Sequence, residues 1–199
     1  MNKKVPFLYK LSRAILGPIF RFYYHPTIIG KENIPKEGSI IIAGNHKHLY
    51  DQCLVIMSTK RGIHYMAKKE YFDSKFAWFF KGCGCISVDR SKKDPVAVEK
   101  ALSVLNDEGA IGIFPEGTRN KTKEFLLPFK FGAVSMAQKT DSYIVPFGIT
   151  GDYKFRSKNL TIHFGKPFKV DGMKLDEANN KLHDEVEFLM KTNYIIGRK

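Results

Sequence analysis

In the stretch Gly44-Asn45-His46-Lys47-His48-Leu49-Tyr50-Asp51, a histidine is followed five residues later by an aspartate. A carboxylate hydrogen-bonded to one imidazole nitrogen fixes the tautomer and leaves the other nitrogen basic. Two residues five apart on one regular helix point about 140° away from each other. His46 and Asp51 therefore meet only if the histidine lies in a strand-to-helix turn and the aspartate in the first helical turn. Such a pair has no nucleophile of its own. It would take the proton of a substrate hydroxyl, which then attacks an acyl carbonyl. Two other side chains compete for the carboxylate: His48, three residues before it, and Lys47, four before it, both at helical spacing. His46 and His48 would also begin a metal site, but no third ligand follows at a usual spacing.

Two further clusters carry ionic chemistry. Asp89-Arg90 follows the apolar run CISV, and Pro115-Glu116-Gly117-Thr118-Arg119 follows AIGIF. Gly117 lets backbone approach a ligand closely. Arg119 can grip a phosphate with two parallel hydrogen bonds, and Glu116 can hold that arginine or accept from a hydroxyl. Each cluster alone reads as a turn with solvated charges. Together they make three apolar runs that end in His/Asp, Asp/Arg and Glu/Thr/Arg, at the strand ends where open α/β sheets bind ligands. Other catalytic patterns are missing: residues 132–136 lack the second glycine of a G-x-S-x-G elbow, and there is no P-loop and no complete dinucleotide fingerprint.

The elements that must position these groups are legible as short apolar runs at 39–43 (SIIIA), 85–88, 110–114, 143–145 and 160–164. Most are unbroken rather than alternating, as in strands covered on both faces. Helical patterns at 95–106, 131–139 and 175–189 separate or follow them. The alternation predicts an α/β fold: a single layered domain over 28–199, with a mostly parallel or mixed central sheet flanked by helices. Residues 1–27 differ. Lys3, Lys4, Lys10, Arg13 and Arg21 lie among bulky apolar residues, and no acidic residue precedes Glu32. This predicts an N-terminal amphipathic segment, broken into two short helices at Gly17-Pro18, that docks on an anionic membrane surface. Residues 75–81, an aromatic cluster between lysines, are a second docking candidate.

Hydrophobic residues make up 43% of the 199 and aromatics 13%, a folded composition, and the net charge of +13 points to an anionic partner without choosing among lipid, nucleic acid and phosphorylated or acidic-protein substrate. Cys53, Cys83 and Cys85 have no disulfide or zinc spacing and read as thiols in a reducing compartment. No signal peptide is apparent, and no apolar run reaches the roughly 18 residues of a membrane span. The expected location is peripheral, on the cytoplasmic face of the cell membrane.

Asn45-His46-x4-Asp51 resembles the first motif of the glycerophospholipid acyltransferases, most closely those that acylate 1-acylglycerol-3-phosphate. Residues 84–90 are similar to the second motif, 114–119 to the third and 144–149 to the fourth, in the family's order, over about residues 28–165. The resemblance implies that His46 is the base and Asp51 its partner. It implies that Arg90, Glu116, Gly117, Thr118 and Arg119 bind the glycerol phosphate of the acceptor, and that Lys68, with Lys69 as a rival, lies near that phosphate. It further implies lysophosphatidic acid as acceptor, acyl-CoA or acyl carrier protein as co-substrate, no other cofactor, and no nucleic acid. Acceptors such as glycerol-3-phosphate or another lysophospholipid stay open, as does a non-enzymatic basic module. Cys85 and Ser87 stand where the family carries bulkier apolar residues, which bears on acyl-chain preference.

Overall fold

In the computed structural model, which describes residues 5–196, the apolar runs are strands of one seven-stranded sheet. Lys3 and Lys4 of the basic N-terminus lie outside the described residues. In chain order the elements are α1 (Phe7–Tyr24), β1 (Thr27–Ile29), β2 (Ile40–Gly44), α2 (Asp51–Ser58), β3 (Ile63–Lys68), α3 (Ala77–Gly82), β4 (Ile86–Val88), α4 (Pro95–Asn106), β5 (Ala110–Ile113), α5 (Gly132–Thr140), β6 (Tyr143–Thr150), β7 (Thr161–Phe164) and α6 (Leu175–Ile196). The strand order is β1-β7-β6-β2-β5-β3-β4. Strands β6, β2, β5, β3 and β4 run parallel, β7 is antiparallel to β6, and β1 lies parallel to β7. The sheet is therefore mixed, and the carboxyl ends of β2, β3, β4, β5 and β6 open on one edge.

β2 lies between β5 and β6, with Ile41 opposite both Ile111 and Ile144, and all five of its residues are buried. Its side chains alternate between two cores. Ile41 and Ala43 join Ile111, Ile144 and the inner faces of α4, α5 and α6. Ile40 and Ile42 join Val145, Phe147, Leu54 and Val55, with Phe20 and Tyr24 of α1 packed on them. Two covered faces explain why these strands lack an alternating pattern. α4 begins where Asp94 accepts a hydrogen bond from the Ala97 N–H at 3.0 Å, with Pro95 in the first turn.

The structure departs from the sequence reading in four places. α1 is one helix through Gly17-Pro18, not two. Pro18 and Ala14, whose carbonyl loses its partner to the proline, are both exposed, so that carbonyl can be solvated and the helix continues. β6 runs on through Pro146 for eight residues. The Pro146 carbonyl accepts from the Gly165 N–H at 2.9 Å, so the missing donor falls on the β7 side, where pairing starts only at Phe147. α6 extends past residue 189 because Met190 and Asn193 are buried, with the Asn193 amide donating to the Gly148 carbonyl at 3.0 Å. β1 and β3 were not anticipated. Among the described residues no helix is long and apolar enough to cross a membrane.

Candidate active site

β2 ends at Gly44, α2 begins at Asp51, and the turn between them carries both members of the expected pair. The His46 ring Nδ1 lies 2.8 Å from Asp51 Oδ2. Asp51 is fully buried, and its two oxygens collect four donors. Oδ2 accepts from the ring and from the backbone N–H groups of Lys47 at 2.7 Å and His48 at 2.8 Å. Oδ1 accepts from the Tyr153 hydroxyl at 2.6 Å. A carboxylate held this way makes Nδ1 the protonated nitrogen and leaves Nε2 as the acceptor. The ring also lies flat on Phe114, centroid to centroid 4.0 Å and 12° from parallel, so contact on its face and the bond at its edge fix its orientation together.

Both rivals for Asp51 contribute backbone instead of side chain. The Lys47 ammonium donates to the Gly151 carbonyl. The His48 ring stacks on Tyr153 at 4.3 Å, and its Nδ1 accepts from the Tyr50 N–H at 3.3 Å. Burial pushes the His48 imidazole below the usual histidine range. Asp51 opposes that shift, while Arg119, Lys47 and His46 add to it.

The backbone at His46 is held on both sides. Its N–H donates to Glu116 Oε1 at 2.5 Å, and its carbonyl accepts from the Asn120 N–H at 2.7 Å. Glu116 is buried, and its second oxygen accepts from the Leu127 N–H at 3.1 Å. Its carboxylate is therefore spent on bracing backbone and not on gripping Arg119. Burial raises the Glu116 carboxyl above its ordinary value, against the lowering effect of the His46 and Leu127 N–H groups. One residue before the histidine, the Asn45 amide donates to the Ile149 carbonyl at 2.9 Å and accepts from the Ile149 N–H at 2.7 Å. This clamps the exit of β2 to β6.

The cationic groups stand at the same edge. Arg90, just past β4, donates from its guanidinium to the Gly117 carbonyl at 2.9 Å, which joins the second and third motifs. Gly117 has φ +70°, and a Cβ there would come within 2.9 Å of Lys130 Cε, so glycine is required twice over. Thr118 and Arg119 are exposed. Lys68 ends β3 at this edge, but its ammonium is paired with Glu70 at 2.5 Å on the surface. Tyr153, Asn120 and the clamp made by Asn45 escaped the sequence reading. Tyr153 lies just past β6, and its signal in the sequence is an apolar run that continues beyond Pro146 to a strand end.

An imidazole oriented by a buried carboxylate, at the carboxyl edge of a mixed α/β sheet and beside arginines, is an arrangement that can take a proton from the hydroxyl of an anionic ligand. A family model described as Acyltransferase matches residues 25–150, and the chain belongs to that family of enzymes. A 1-acyl-sn-glycerol-3-phosphate acyltransferase of Bacillus subtilis is 30% identical over 80% of this chain and 82% of its own. One of Borreliella burgdorferi is 35% identical over 69% of this chain, which spans just over half, 56%, of that relative. In fold the chain matches the crystal structure of the 1-acyl-sn-glycerophosphate (LPA) acyltransferase PlsC from Thermotoga maritima, with a TM-score of 0.78, 22% identity, and coverage of 92% of this chain and 78% of that one.

Proposed function

We propose that this acyltransferase moves a fatty acyl group from a thioester, on coenzyme A or acyl carrier protein, to the sn-2 hydroxyl of 1-acylglycerol-3-phosphate, forming phosphatidic acid. The names of its relatives favour that acceptor. The observation that carries the chemistry is the 2.8 Å contact between His46 Nδ1 and Asp51, which leaves Nε2 to take the hydroxyl proton. The alkoxide attacks the thioester carbonyl, the tetrahedral adduct collapses, and a thiolate leaves. Its conjugate acid has a pKa of about 8.5, so departure needs little acid assistance. Transfer is direct. Cys53, the thiol nearest in sequence to Asp51, is held protonated by burial, its pKa pushed up to about 11, which makes it a poor nucleophile.

Arg90, Arg119 and the Thr118 hydroxyl receive the acceptor's phosphate, with Gly117 allowing close approach and Lys68 joining when it leaves Glu70. Glu116 serves the same pocket by holding the loop. The protein docks on an anionic leaflet at the cytoplasmic face of the membrane through α1. There Phe7, Leu11, Ile15, Ile19 and Phe22 form an exposed apolar stripe beside Lys10 and Arg21. Phe76, just before α3, and Trp78, within it, are exposed aromatic residues that can join this docking.

Purified protein given lysophosphatidic acid and each thioester tests the reaction. The expected result is phosphatidic acid, with turnover lost when the acceptor's phosphomonoester is replaced by a neutral group. Equal turnover of the neutral acceptor would remove the phosphate assignment. Deleting residues 1–25 tests docking, and sedimentation with anionic liposomes that is unchanged by the deletion would reject it.

A further inference from the structure

We propose that Tyr153 is a positioning residue of this active site: its hydroxyl holds Asp51 in register with His46 and tempers the basicity of the pair. The inference rests on the reading of His46 as base and Asp51 as its partner. Of the four donors to Asp51, three converge on Oδ2. Tyr153 supplies the donor to Oδ1, at 2.6 Å, a length typical of a hydroxyl bonded to a charged carboxylate. Without it that oxygen has no donor among the described residues, and the carboxylate is held at one end. Burial alone does not deliver a phenol to an acceptor here. Tyr65, also buried, leaves its hydroxyl without a hydrogen-bond partner among the described residues.

The Tyr153 ring is placed by contacts that do not involve its hydroxyl. It stacks on His48 at 4.3 Å and meets Tyr24 at 5.6 Å, Phe20 at 6.2 Å and Tyr50 at 6.3 Å. The loop that carries it is tied to the end of α1, where the Arg156 N–H donates to the Tyr23 carbonyl at 2.8 Å and the Phe155 and Tyr23 rings lie 5.0 Å apart. Tyr153→Phe therefore keeps the loop and removes the hydrogen bond. Burial, and then the charge of Asp51, push the Tyr153 phenol far above its ordinary value, so it stays a donor throughout an assay range.

The sign of the effect follows from the charge. A carboxylate that loses a donor keeps more of its negative charge and stabilises the imidazolium better, so His46 holds its proton to a higher pH. The other groups facing the pair are Lys47 and His48 from the β2–α2 turn, Cys53 of α2, Tyr65 of β3, and Glu116 and Arg119 after β5. All of them are unchanged in the variant.

The experiment compares kcat/KM against pH for the full-length wild type, Tyr153→Phe and protein with 3-fluorotyrosine at position 153, alongside an NMR titration of the His46 ring. For Tyr153→Phe the acidic limb and the His46 titration move up by about half a unit or more. kcat falls roughly tenfold, and KM for lysophosphatidic acid stays within about twofold. The fluorinated phenol is a stronger donor and moves both down, an inversion that altered packing cannot produce. Profiles and titrations that superimpose on wild type in both variants, with or without a fall in melting temperature, overturn the inference. Full turnover in His46→Ala would instead strike the base assignment, and the NMR titration would still report whether Tyr153 acts on His46 through Asp51.

Discussion

On the imidazole side of the active site, both Asp51 oxygens and both backbone polar groups of His46 are hydrogen-bonded within the protein. On the cationic side, Arg90, Thr118 and Arg119 stand at the surface, and Lys68 is paired with a residue outside the site. The difference matches what each half must do. Proton transfer needs heavy atoms within about 2.6–3.2 Å, and a small misplacement is costly, so that geometry is fixed in advance. Attraction between a guanidinium and a phosphate acts over longer distances, and a long side chain can close on its ligand. The cationic half can therefore be completed by the substrate.

The sharpest break of this contrast is His46→Ala, which removes the proposed base but no buried acceptor. It should lower kcat/KM by roughly 10³-fold or more while the melting temperature stays within about 2 °C, read by thiol release and calorimetry. Asp51→Asn should lose nearly as much activity and, unlike the first, stability as well. An amide cannot accept from all four donors, and about 2–4 kcal/mol should disappear from the unfolding free energy in denaturant. If stability held, the preformed half would not be over-determined. Arg119→Ala should act mainly on KM for lysophosphatidic acid, raising it roughly tenfold or more with the fold intact. A fall in kcat at constant KM would show that this arginine belongs with the preformed half. The smallest effect concerns His48. Its pKa is lowered by burial, so the unfolded chain binds the proton more tightly and folding stability falls as pH drops below about 6.5. His48→Gln should flatten that fall, seen as a smaller change in melting temperature between pH 7 and pH 5.

The sequence made the imidazole half legible because its chemistry is local. His46 and Asp51 lie within one turn, and a strand-to-helix junction is the one geometry that lets them meet. The helix at Pro95 was equally plain, since Asp94 and Pro95 mark its start. What stayed hidden depends on distant partners. β3, with His64 and Lys68 among its apolar residues, becomes a strand only through pairing with β4 and β5. β1 has three residues and, among the described residues, pairs only with β7. Pro146 reads as the end of a strand until the absence of a donor requirement on the β7 side is known. Glu116 reads as a ligand for arginine or hydroxyl, and only the fold shows its oxygens turned to the His46 and Leu127 backbone. Tyr153 has no neighbour in sequence that hints at Asp51.

The clamp between the first and fourth motifs also sets a timetable for biosynthesis. Asn45 bonds to Ile149 and Lys47 to Gly151, each 104 residues away, and Asp51 bonds to Tyr153, 102 residues away. A ribosome adding about 5–20 residues per second needs on the order of ten seconds to cross that interval. The nascent chain emerges with the β2–α2 turn unsupported, and these bonds cannot form until residues 149–153 have left the exit tunnel.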